Sequence, residues 1–166
     1  MISEDIKDSL LDQLNAEFES AHVYLAMSAY CSHQDFNGAA SWLRTQYEEE
    51  RLHAMKVYDY LVDQGVHISL GDLGPPPSEF GTLLEVFEES LNHEQSMTAR
   101  LNELSDKALK EKDHATYSML QWFVSEQLEE EATISEIIAK LRLVNNDGYG
   151  LLMIDNELAS RTTVEL

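Results

Sequence analysis

The sequence is poor in cysteine, in residues that interrupt helices and in long apolar runs. Cys31 is the only cysteine among 166 residues, which excludes an intrachain disulfide and argues against a cysteine-based metal site. Seven glycines and three prolines are few for a chain of this length and favour long regular elements. No apolar run reaches the roughly 20 residues that a membrane-spanning helix requires. These absences predict one compact domain over residues 1–166 that has no membrane partner.

Basic residues are also scarce. Lysine and arginine total 11 against 31 aspartates and glutamates, so the formal net charge is −20. A chain this acidic repels nucleic acid phosphates and anionic lipid surfaces and attracts cations, and we expect no nucleic acid partner. Its first residues lack the apolar segment of a signal peptide and are too acidic for a transit peptide. A complete chain with these features is expected to be cytoplasmic.

Helical periodicity runs through most of the sequence, with apolar residues spaced alternately three and four positions apart. This spacing predicts a helical bundle over about residues 4–144 and a short fifth helix over about 148–160. Ser3 is the predicted cap of the first helix and Ser78 that of the third, while Gly65 ends the second. The fifth helix has little to bury against within one bundle, so we expect it to pack against other subunits.

Residues 66–78 separate the second and third predicted helices. This segment contains Gly71, Gly74 and the three prolines at 75–77, so it cannot be helical. About thirteen extended residues at roughly 3.3 Å each span on the order of 43 Å, as far as a ~28-residue helix of about 42 Å. The connection can therefore run the full length of the bundle and place the third helix parallel to the second. The sequence thus predicts an all-α four-helix bundle with one long crossover.

Polar residues interrupt the interior face of each predicted helix near its middle. Glu50 and His53 lie one turn apart on one face of the second helix. The polar interior positions of the four helices are Glu17, Glu50, His53, Glu94, Gln127 and Glu130. Because the midpoints of bundled helices lie at one level, we expect these side chains to form one buried layer. Competing registers of the fourth helix stay open because of a run of glutamates: Glu126, Glu129, Glu130 and Glu131.

Repulsion within such a layer decides its chemistry. Two carboxylates 4 Å apart repel by about 4 kcal/mol at an effective dielectric of ~20, and burying each one costs several kcal/mol more. No basic residue lies at an interior position to offset them, so the carboxylates either protonate or bind cations, and we expect cations. Several carboxylates with one imidazole suit iron or manganese better than structural zinc, and the layer has room for two ions.

The Glu50-x-x-His53 pair and the inward glutamates of the other helices resemble those of ferritins of the bacterial non-haem type, and the resemblance covers nearly the whole chain. It implies a ferritin-like four-helix bundle with one long crossover and a short C-terminal fifth helix. It also implies a di-iron centre in which Glu17, Glu50 and His53 hold the first iron. Glu50 then bridges to a second iron, which is held with Glu94 and Glu130.

By the same resemblance, Gln127 and Tyr24 lie beside the di-iron centre and belong to its catalytic residues, and Gln127 also belongs to the metal-binding set. A third, outlying iron site is placed on four glutamates: Glu49, Glu126, Glu129 and Glu130, the last of which is shared with the di-iron centre. Haem is not expected, because bacterioferritins carry a haem-ligating methionine where this chain has Arg51. They also carry a second Glu-x-x-His on the fourth helix, which this chain lacks.

The resemblance implies an iron-storage protein with ferroxidase activity. Fe(II) is oxidised by O2 or H2O2 at the di-iron centre, and Fe(III) mineral is stored in a hollow homo-oligomeric shell of 24 subunits. Two other functions stay open from the sequence. A di-iron oxidase that stores nothing would need a substrate pocket beside the metals and no assembly through the fifth helix. A non-catalytic acidic scaffold or cation buffer would not oxidise Fe(II) stoichiometrically.

Overall fold

The computed structural model describes residues 2–162, and over this range the chain forms five α-helices and no strand. The helices are α1 (Glu4–His33), α2 (Asn37–Asp63), α3 (Leu83–Lys110), α4 (His114–Val144) and α5 (Gly148–Leu158). Among these helices, none is both long and apolar enough to cross a membrane. The predicted four-helix bundle with a short fifth helix is therefore confirmed.

Helix caps set where the long helices begin. The Ser3 hydroxyl accepts a hydrogen bond from the Ile6 amide at 3.1 Å, as predicted for the start of α1. The predicted cap of the third helix was wrong, because α3 begins at Leu83 rather than after Ser78. Thr82 and Glu85 cap α3 reciprocally, each side chain accepting a hydrogen bond from the other's backbone amide. This double cap lies four residues further along the chain.

The crossover follows the length of α1. From residue 64 to residue 82 the chain has neither helix nor strand, as the prolines predict. Gly71 lies beside the Asn15 side chain, and further along the crossover the Phe80 ring meets the edge of Tyr30 at a centroid distance of 5.6 Å. Asn15 and Tyr30 are about 22 Å apart along α1 at 1.5 Å per residue. The crossover therefore carries the chain from one end of the bundle to the other.

Two apolar clusters fill the two ends of the bundle. One joins the end of α1 to the starts of α2 and α3, the end of α4 and part of α5, with Tyr24, Leu43, Phe87 and Ile134 among its buried members. The other joins the start of α1 to the ends of α2 and α3 and the start of α4. Since α2 and α3 begin in the same cluster, they run parallel, as the long crossover predicts. The polar layer lies between the two clusters.

Helix α5 docks on its own bundle through a carboxylate. Phe36, at the cap position of α2, makes no side-chain cap hydrogen bond. Asp155 of α5 takes this role, accepting from the Gly38 amide at 3.0 Å and the Ala39 amide at 2.8 Å. Ile154 and Leu158 are buried beside it. The expectation that α5 finds little to bury against within one subunit was wrong, because α2 and α4 receive one face of it.

Candidate metal centre

The six polar side chains predicted to form one layer all lie inside the bundle. None of them is more than 7% exposed: Glu17, Glu50, His53, Glu94, Gln127 and Glu130. Glu17 comes from α1, Glu50 and His53 from α2, Glu94 from α3, and Gln127 and Glu130 from α4. The layer thus has the composition that the interrupted seams predict.

Three of these residues form a compact cluster. Glu17, Glu50 and His53 each offer one ligand atom, and the three atoms lie within 4.8 Å of one another. The His53 Nδ1 atom is 3.5 Å from a Glu50 carboxylate oxygen, a contact that orients the ring. Two carboxylates and one imidazole nitrogen at these separations can converge on a single cation.

A second cluster shares the imidazole with the first. His53, Glu126 and Glu130 also bring three ligand atoms within 4.8 Å of one another. Glu126 was predicted for the outlying third site together with Glu49 and Glu129. In the structure Glu129 is exposed, and Glu49 makes an ion pair with Arg161. The third iron site stays a prediction.

Glu94 is buried in the layer among hydrogen-bond donors. The Tyr24 hydroxyl donates to one Glu94 oxygen, and Gln127 Nε2 donates to the other at 3.0 Å. Both donors were predicted to lie beside the centre. They orient the Glu94 carboxylate and leave its remaining lone pairs available to a cation.

Two glutamines that were not predicted as site residues hold the carboxylates in place. Gln13 Nε2 donates to Glu17 at 2.7 Å, and Gln46 Nε2 donates to Glu50 at 3.1 Å and to Glu130 at 2.8 Å. Each glutamine precedes its glutamate by four residues, a spacing that puts both side chains on one helix face. This Gln-x-x-x-Glu spacing is visible in the sequence and could have indicated both glutamines as site residues.

Burial shifts the protonation of the carboxyl groups. Desolvation, with the neighbouring Glu50 charge, raises the pKa of Glu17 to about 8. Desolvation and the charges of Glu50 and Glu49 raise the pKa of Glu130 to about 7. Desolvation also raises the pKa of Glu94 well above its usual value. Without a cation, the layer relieves its repulsion by holding protons.

Glu50 and His53 behave as an ion pair within this layer. Burial lowers the pKa of His53, but the hydrogen bond and charge of Glu50 outweigh burial and raise that pKa to about 10. Burial raises the pKa of Glu50, and the His53 contact outweighs it, leaving the pKa of Glu50 below its ordinary value. Glu50 therefore keeps its negative charge to lower pH than the other three glutamates of the layer, whose pKa values burial raises.

These shifts predict that the metal-free protein loses stability as the pH rises. Folding raises the pKa of Glu17 and Glu130 above the ordinary value of 4.5 and that of His53 above 6.5. The contribution of each group to the stability of the folded state is therefore fully present below its ordinary pKa. The contributions are lost as the pH passes the folded pKa values of about 8, 7 and 10. We expect the Tm of metal-free protein to fall between about pH 6 and about pH 9, measured by calorimetry.

The matched control for this measurement is Glu17→Gln, which removes one proton-binding group and keeps the shape of the side chain. Its Tm is expected to fall less steeply over the same pH range. A Tm of the metal-free protein that is constant or rises with pH would contradict the described protonation of the layer.

A four-helix bundle with carboxylates and an imidazole buried at its centre is the architecture of the di-metal carboxylate proteins. Sequence comparison gives the family. The family model of the ferritin-like domain matches residues 7–144. The bacterial non-heme ferritin of Staphylococcus haemolyticus is 41% identical over 162 residues, which cover 98% of this chain and 98% of that protein. The one from Staphylococcus aureus strain MRSA252 is 40% identical with the same coverage.

Solved structures agree with the sequence comparison. A humanized archaeal ferritin superposes with a TM-score of 0.98 at 42% identity, covering 99% of this chain and 100% of that one. An open-pore ferritin from the hyperthermophilic archaeon Archaeoglobus fulgidus gives a TM-score of 0.96 at 42% identity, covering 98% and 100%. The chain belongs to the ferritin family, and the resemblance found in the sequence is confirmed.

Proposed function

We propose that this protein oxidises Fe(II) in the buried layer and stores the Fe(III) product as a mineral inside a homo-oligomeric shell. The observation that carries the proposal is the convergence of Glu17, Glu50 and His53 on one point between the two apolar clusters. Membership of the ferritin family supports iron storage. We further propose 24 subunits per shell and a location in the cytoplasm.

The geometry supports two iron positions that share Glu50. The first ion binds Glu17, Glu50 and His53, whose ligand atoms already lie together. The second binds Glu94 and Glu130, the ligands that the family resemblance implies for it. The charge of Glu50 raises the pKa of both of these groups, as expected of neighbouring carboxyls that share one site. An oxygen-rich anionic set stabilises Fe(III) more than Fe(II), which favours oxidation.

Electrons and protons balance within the layer. Two Fe(II) ions supply two electrons, which reduce O2 with two protons to H2O2, or H2O2 with two protons to two water molecules. Iron binding displaces the protons that the metal-free layer holds, including those of Glu17 and Glu130. The side chains therefore exchange bound protons for bound iron, and the layer stays close to charge balance.

The arrangement of the layer argues against the alternative of a non-catalytic acidic scaffold. A scaffold has no need to converge two carboxylates and an imidazole within 4.8 Å, nor to orient them with buried glutamines. The alternative of a di-iron oxidase without storage is separated from a ferritin by particle mass. Both alternatives are therefore decided by one combined experiment.

That experiment adds two Fe(II) per chain to metal-free protein in air and records the absorbance together with the particle mass. The expected result is complete oxidation of both ions and a particle of about 24 times the 18.9 kDa chain. Absence of oxidation would overturn the proposed ferroxidase activity. Oxidation by a monomer or a dimer would favour an oxidase that stores nothing.

Tyr24 is expected to contribute an additional electron to the reduction of O2. Two electrons from the di-iron pair, one from Tyr24 and one from an Fe(II) ion at the predicted third site reduce O2 with four protons to two water molecules. Its ring is fully buried, and its hydroxyl donates to Glu94, so a phenol proton has an acceptor at hand when the ring is oxidised. We expect Tyr24→Phe to slow the oxidation of Fe(II) several-fold while leaving iron binding intact, measured by stopped-flow absorbance. Unchanged oxidation kinetics would remove Tyr24 from the mechanism, and Tyr30→Phe is the matched control on the same helix.

A further inference from the structure

Arg161, which follows α5, reaches back to the edge of the metal centre. Its guanidinium makes an ion pair with Glu49, one of the glutamates of the predicted third iron site. A second guanidinium nitrogen donates to Gln46 Oε1 at 2.9 Å, and the group lies over the Trp42 ring at 4.2 Å. Only 19% of the Arg161 side chain and 8% of the Glu49 side chain are exposed. The basic group is thus held by three separate contacts.

The contact with Gln46 connects Arg161 to the layer. Because the Gln46 carbonyl oxygen accepts from Arg161, its amide nitrogen is directed inward, where it donates to Glu50 and Glu130. The orientation of this amide is therefore fixed from both sides. Arg161 is therefore linked to the layer through Gln46, which hydrogen-bonds to two of its carboxylates.

The contact with Glu49 places a positive charge where a cation would bind. An ion pair with low exposure is screened little by solvent, so it competes effectively with a metal ion for the same carboxylate. The ligand-atom clusters found over residues 2–162 include Glu126 and Glu130 but not Glu49. Glu49 is thus committed to Arg161 in the metal-free state.

We propose that Arg161 competes with the third metal ion for Glu49 and must leave this carboxylate before the outlying site fills. The inference rests on the proposed function, because it assigns Arg161 a part in how that same centre takes up metal. The two central positions do not involve Glu49 and fill first. The third ion then binds more weakly than it would to a free Glu49, since it must first displace the guanidinium. Arg161 is a positioning residue in this scheme and touches no reacting atom.

The test is a calorimetric titration of the metal-free assembled protein with Zn(II), which is redox-inert and reports binding without oxidation. Arg161→Ala is expected to raise the affinity for the third equivalent of Zn(II) by about tenfold, the size of a typical coupling between two sites. Arg161→Lys retains the charge and is expected to remain close to the wild type. In the double variant Arg161→Ala/Glu49→Gln the gain should disappear.

The matched control is Arg51→Ala, which removes the same charge from an exposed arginine of α2 that pairs with Glu48. Its third equivalent is expected to match that of the wild type. Equal or weaker third-site binding in Arg161→Ala, or the same gain in Arg161→Lys, would overturn the competition. Failure of the first two equivalents to bind would instead overturn the proposed function, so the two failures are distinguishable.

Discussion

Replacing Glu50 with glutamine is expected to reduce the initial rate of Fe(II) oxidation on the order of 100-fold. Substituting a residue that only hydrogen-bonds to a metal ligand costs about 10–100-fold, and Glu50 is itself a proposed ligand of both ions. A Glu50 carboxylate oxygen lies 3.5 Å from His53 Nδ1, and Glu50 accepts a hydrogen bond from Gln46. It is also the carboxylate whose charge raises the pKa of Glu17, Glu94 and Glu130. A neutral amide at this position removes the bridging ligand of both proposed ions. The measurement is the initial absorbance change after two Fe(II) per chain.

Glu48→Gln is the matched control, because Glu48 precedes Glu50 by two residues and pairs with Arg51 at the surface. Its oxidation rate is expected to equal that of the wild type. Oxidation by Glu50→Gln within about twofold of the wild type, together with a higher Tm of the metal-free protein, would show that Glu50 is not a shared iron ligand. That combination is what an acidic scaffold predicts, since there the substitution only relieves repulsion.

Replacing Gly38 with alanine is expected to undock α5 and lower the free energy of unfolding by about 1–3 kcal/mol or more. The added Cβ atom would lie 1.7 Å from the Asp155 carbonyl oxygen and 2.6 Å from its carbonyl carbon. Both contacts are with the backbone of a helix, so no side-chain rotation relieves them. Separation of the helices also removes the Asp155 cap from the Gly38 and Ala39 amides. Chemical denaturation measures the loss.

Gly148→Ala is the matched control for this substitution. Gly148 is also a helical glycine, and a Cβ atom added there meets nothing within 4 Å. Its replacement should leave stability unchanged or raise it by about 0.4–1 kcal/mol through the unfolded state. Equal stabilities of Gly38→Ala and Gly148→Ala would show that α5 does not dock on α2 as described.

The sequence contains most of what positions the centre. The helical period predicts which residues face inward, and the prolines after Gly74 predict the crossover, because both are local properties of the chain. Glu50 and His53 share a helix face for the same reason. The layer follows from one further geometric fact, that the middles of bundled helices lie at one level.

What the sequence leaves undetermined depends on contacts between distant residues. The docking of α5 rests on Asp155 capping a helix that begins more than a hundred residues earlier, a pairing that no local pattern indicates. Arg161 reaches Glu49 only because α5 is docked in this way. The start of α3 was misplaced because Ser78 and Thr82 are both suitable caps, and the Glu85 partner decides between them.

A crystal soaked in ferrous salt under anaerobic conditions and measured at the iron absorption edge locates the bound metal ions directly. Two iron peaks are predicted within the bundle, one between Glu17, Glu50 and His53 and a second beside Glu94 and Glu130, with Glu50 contacting both. Side chains that point away from one another around an empty layer would show that no di-iron centre forms here.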